Sequence, residues 1–81
     1  MLLSSEKIFA EARNQLVSDM KKDFKKIKVY INRIEMVAYN HFIKNVFNLH
    51  KGDEAPSTHE KMVNEAKMII LRCMQLDSNL T

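Results

Sequence analysis

Five lysines fall within eight residues, at Lys21, Lys22, Lys25, Lys26 and Lys28, with only Asp23 to offset them. That segment carries +4 in a chain whose total is +3, so the remainder sums to −1 and the basicity comes from one patch. Ammonium groups at this density suit phosphates, whether of a nucleic acid or of anionic lipid headgroups, and such binding weakens steeply as salt rises. The patch contains no arginine and no interleaved exposed aromatic, so direct base reading is not expected. A solvated helix face and an acidic protein partner are the other readings of the same residues.

Metal and nucleophile chemistry find less support. His41, His50 and His59 are each nine residues apart, whereas two histidines that share a metal on one helix stand three or four apart. His50 and His59 flank one short polar segment, but no thiolate or carboxylate completes a tetrahedral set with them by spacing. Packing, capping or a partner contact suits all three better. Cys73 is the only cysteine, so no intrachain disulfide or Cys-x-x-Cys pair exists, and it falls on an apolar helix face where burial raises a thiol pKa. Neither a pair of facing carboxylates nor a glycine-rich phosphate loop is present. The sequence reads as that of a non-enzyme without a cofactor or metal.

These residues must be positioned by helices. From Met1 to Lys51 there is neither glycine nor proline, and the only two breakers, Gly52 and Pro56, bracket one short polar segment. The expected fold is all-α, a single domain over 1–81: a long helical block over about 5–50, a loop at 52–56, and an antiparallel helix over about 58–77. Phe9, Ala12, Leu16, Met20, Phe24, Ile27, Ile31, Ile34, Ala38, Phe42 and Val46 recur at steps of three or four, tracing one buried stripe. Their mean step of 3.7 exceeds the 3.5 of a left-handed coiled coil, which favours a globular bundle. Between Val29 and Leu49, 13 of 21 residues are apolar, so this central helix needs more than one neighbour. Ser18 or Asp19 is a candidate start for a new helix, leaving two and three helices both open. Ser4 or Ser5 suits the first N-cap, Gly52 a left-handed C-terminal stop, and Ser57 with Glu60 a capping box. In the last helix the inward face is Met62 or Val63, Ala66, Ile69, Ile70, Cys73, Met74 and Leu76.

Eighty-one residues form a thin core, and small helical chains commonly gain stability by pairing with a copy or a partner. A homo-oligomer or a protein complex is therefore expected. Nothing approaches the ~20 apolar residues of a membrane span, no export signal is evident, and the lone cysteine suits a reducing cytosol. Tyr39, His41, Phe42 and Phe47 are the candidate partner-binding residues, because aromatics filling a pocket dominate binding energy. Met36, Met62, Met68 and Met74 suit either an adaptable groove or the core.

In length and in its Lys/Asn/Met-rich helical composition the chain is similar to the small cytosolic regulators of large lytic bacteriophages. Its amphipathic stretch Asn14–Lys28 and the Tyr39-Asn40-His41-Phe42 centre resemble the cytoplasmic antiholins of T-even lysis inhibition. That resemblance implies a protein of the host cytoplasm that binds the cytosolic segment of a membrane holin and delays pore formation, with the lysine patch near the membrane surface. The alternative from the residues is a small nucleic-acid-binding regulator whose Lys21–Lys28 face meets phosphates.

Overall fold

Ser4 begins the first helix as the spacing predicts: its hydroxyl accepts the Lys7 amide at 3.4 Å and its carbonyl accepts that of Ile8 at 3.0 Å. The computed structural model describes residues 4–19, 24–53 and 55–79, with the side chains of 24–28, 30 and 77–79 outside that description. Helix α1 spans Ser5–Asp19 and α2 spans Phe24–Phe42. Helix α2 runs on through a π-helical segment, Ile43–Phe47, into a last turn, α3, at Asn48–His50. Helix α4 spans Pro56–Asn79. Every described element is helical, and the fold is a small all-α bundle.

The contacts between α1 and α2 set their relative direction. Ser5 Oγ lies 2.8 Å from Tyr39 Oη, while Arg13, two turns further along α1, pairs with Glu35, one turn earlier in α2. Progress along one helix is retreat along the other, so the two are antiparallel. Helix α4 packs against both.

The core follows the apolar stripe. Phe9, Ala12, Leu16, Ile31, Ile34, Ala38, Phe42 and Val46 are buried from the first helical block, with Met62, Val63, Ala66 and Ile70 from α4. Ile8 is buried as well, beside Phe9, because α1 is covered on two sides. Met20, Phe24 and Ile27 of the expected stripe lie outside the described side chains. In α4, Ile69, Cys73 and Met74 are partly buried against the core, whereas Leu76 is exposed. Fully buried Ala12, Ala38 and Ala66, one on each long helix, let the backbones approach closely.

The π-helical segment explains a departure from helical periodicity. The Asn48 amide donates to the Ile43 carbonyl, five residues back, which widens that turn. In an uninterrupted α-helix Leu49 would share the face of Phe42, seven residues earlier. The wide turn shifts the residues after it round the helix, and Leu49 is 72% exposed.

The connection into α4 differs from its expected chemistry in two ways. The helical path ends with the Asp53 amide on the His50 carbonyl at 2.9 Å, and Gly52 does not take up the left-handed conformation. A Cβ at Gly52 would meet nothing within 4 Å. Helix α4 then begins at Pro56, one residue before the expected cap, so Ser57 lies inside the first turn rather than at an N-cap. Proline is pre-set for that first position because its missing N–H has no helical partner to lose. The carboxylate that organises the start is Asp53, whose Oδ1 accepts the Ala55 amide at 3.0 Å.

That amide first, and then the Thr58 side chain, hold the Asp53 carboxyl below its ordinary range. A depressed folded-state pKa contributes stability above the unfolded value, and the contribution is lost as pH falls through the folded one. Asp53→Ala should therefore lower the thermal midpoint at neutral pH, with the two proteins converging in acid once the lowered Asp53 carboxyl is itself protonated. A midpoint difference that persists undiminished in acid would show that Asp53 acts through something other than its charge.

Candidate partner-binding face

The side of α2 turned away from the core presents Val29, Met36 and Val37, which are 59%, 80% and 54% exposed. Seven- and eight-residue spacings put them on one helix face, along with exposed Asn32, Arg33 and Asn40. These three are half of the large hydrophobic residues exposed among the described residues, the others being Leu49, Met68 and Leu76. Beside this face lies a groove between α1 and α2 with a volume of about 520 Å³. Phe9 and Tyr39 line it from opposite helices, their rings edge to face with centroids 5.3 Å apart. Met36 and Arg33 line the α2 side, Glu6 the α1 side, and the Arg13–Glu35 ion pair crosses from one helix to the other.

Of the expected contact residues, Tyr39 is half-buried, fixed by Ser5 and by Phe9, and presents part of its ring to the groove. His41 is exposed on α2. Phe47 is half-buried against Phe42, with centroids 6.3 Å apart. Phe42 is a correction. It is fully buried, packed between Phe9 and Phe47 at the centre of the core, and offers no surface to a partner. Aromatic character marked it as an anchor; the cover of α1 and α4 over the middle of α2 makes it core instead.

The methionines divide in the same way. Met62 is fully buried and Met74 partly so, while Met36 and Met68 are exposed, so the four do not line one groove. Of the basic patch, Lys21 and Lys22 lie outside the described residues, and Lys25, Lys26 and Lys28 belong to α2 with their side chains outside the description.

The histidines do not converge. His59 Nε2 is 2.8 Å from Glu11 Oε2, tying the first turns of α4 to α1, and His50 Nε2 is 3.9 Å from Glu65 Oε2. Among the described residues no group of three His, Cys, Asp or Glu side chains could hold a metal ion. Arg13 pairs with Glu35 across the helix interface. Cys73 is half-buried, and that burial pushes its thiol up against a smaller opposing pull from Arg72, which disfavours the thiolate.

The groove offers a helix a rigid aromatic wall, a flexible methionine beside it, and charges of both signs. Val37, one of the apolar residues for which the central helix was expected to need more than one neighbour, is exposed instead. Among the described residues no helix is long and apolar enough to cross a membrane. No protein-family model, curated protein or solved structure matches the chain.

Proposed function

We propose that this chain is a non-catalytic helical interaction module that regulates a protein partner through the outward face of α2 and the adjoining α1–α2 groove. The observation that carries this reading is Met36, four-fifths exposed, flanked by exposed Val29 and Val37 on a helix that buries Ile31, Ile34, Ala38 and Phe42 on its other side. Apolar side chains exposed together on one face in this way favour an interaction surface. The resemblance noted above gives the reading its most specific form: a cytoplasmic antiholin that engages the cytosolic segment of a membrane holin and delays pore formation.

Co-expression of the chain with a T-even holin tests it directly. Delayed lysis is the expected result, and Met36→Lys or His41→Ala should shorten the delay while leaving helicity intact. Lysis on the same schedule with and without the chain removes the antiholin form. Fluorescence anisotropy of a labelled DNA duplex completes the test. Tight, steeply salt-dependent binding that Met36→Lys leaves unchanged would move the function to the lysines and away from this face.

A further inference from the structure

We propose that the π turn is a register switch: residues 48–51 step between the packing seen in the structure, with Leu49 out and His50 in, and an uninterrupted α-helix with Leu49 in and His50 out. The charge on His50 sets the balance between the two. The switch goes beyond the partner face on α2 and does not depend on it.

Register geometry is the first argument. Two α-helical turns take about seven residues, so in a regular helix the residue that follows Phe42 and Val46 on the inward face is Leu49. The π turn adds one residue, and eight positions after Phe42 stands His50. Burial follows that count: the His50 side chain is 25% exposed and Leu49 is 72% exposed. Tightening the turn to α rotates residues 48–51 by about 100°, the angle between neighbouring residues, and exchanges the two. Phe42 and Val46, four apart, stay on the inward face in both registers, so the core need not open.

What holds the wide turn is the second. It leaves an aliphatic side chain in water and uses a rare hydrogen-bond pattern, one that recurs as single turns inside helices and frequently at functional sites. Against that stand the contacts of His50. Its Nε2 is 3.9 Å from Glu65 Oε2 on α4, and its carbonyl accepts the Asp53 amide at 2.9 Å. Among the described residues the charged groups facing the imidazole are Glu65 and, from the connection, Asp53, which Lys61 of α4 faces in turn. Both neighbours of the ring are acids, so a charged imidazole favours the π register and a neutral one releases it.

Relaxation-dispersion NMR on the amides of the full chain tests the switch. Exchange centred on residues 43–51 is expected, with the minor state growing about threefold between about pH 5.5 and pH 7.5, the scale of a partly exposed ion pair. Glu65→Gln should raise the minor state at the lower pH by a similar factor. Leu49→Gln removes the group that the α register would bury and should abolish the exchange. Deleting exposed Asn45 removes the added residue, so that a regular helix carries His50 seven positions after Phe42. That variant should fold and be free of exchange. No exchange in the wild-type chain at either pH, exchange that Leu49→Gln leaves intact, a minor state indifferent to both pH and Glu65→Gln, or an Asn45 deletion that fails to fold would each overturn the switch.

Discussion

Phe42→Ala should cost about 3–5 kcal/mol of folding stability, the range for truncating a fully buried aromatic. Phe42 has no exposed surface and lies between Phe9 and Phe47, with ring centroids 5.9 and 6.3 Å away, so the substitution removes two aromatic contacts and leaves a cavity at the meeting point of α1 and α2. A chain of 81 residues has on the order of 4–12 kcal/mol in total, so the substitution removes a large share of it. Urea denaturation followed by circular dichroism is the measurement. Phe47→Ala, at a half-buried position, should cost clearly less. A loss below about 1 kcal/mol at Phe42 would mean that the core does not close around this ring. The consequence for function is direct: partner binding lost in a Phe42 variant reports unfolding, and the face must be probed at Met36 and His41 instead.

Helix identity was legible because it depends on local chemistry. The breaker-free run, the serine at the start of α1 and the steps of three and four that bury Ile31, Ile34, Ala38, Phe42 and Val46 are properties of single helices. What periodicity does not contain is how far round each helix its neighbours reach. Val37 lies one residue from buried Ala38, yet it is half exposed because α1 and α4 cover the opposite side of α2. Leu49 illustrates a second limit. Its spacing from Phe42 places it inside in any regular helix, and only the wide π turn takes it out. No residue type in Ile43–Phe47 announces such a turn.

The connection before α4 shows the same limit at a finer scale. Ser57 and Glu60 have capping-box spacing, but Pro56 is better suited to the first helical position and Asp53 reaches the amide of Ala55 from the preceding turn. Two valid local signals competed, and their ranking depended on where the His50 end of the preceding helix delivered the chain. For the candidate site, the residue classes were right and their places were not. Aromatics of the Tyr39–Phe47 region build the core and one wall of the groove, while the side chain most available to a partner is an aliphatic thioether at Met36. Burial of three helices around a small centre consumes the largest rings first, because they remove the most surface from water.

Methionine therefore offers the sharpest comparison in the molecule. Met62→Lys should unfold the bundle or cost more than 3 kcal/mol, whereas Met36→Lys should change stability by less than about 0.5 kcal/mol. The two residues are the same in type and both sit in amphipathic helices, but Met62 has no exposed surface and Met36 is 80% exposed. At Met62 the ammonium would replace a thioether packed among apolar side chains, with no carboxylate among the core residues to pair with it. At Met36 the lysine stem can lie along the same groove wall with its charge in water. Thermal unfolding of both variants decides the matter, at a concentration where sedimentation shows a single species so that self-association does not add to the apparent midpoint. Equal losses at the two positions would place Met36 in the fold rather than on its surface, and with it would go the face on which the regulatory reading depends.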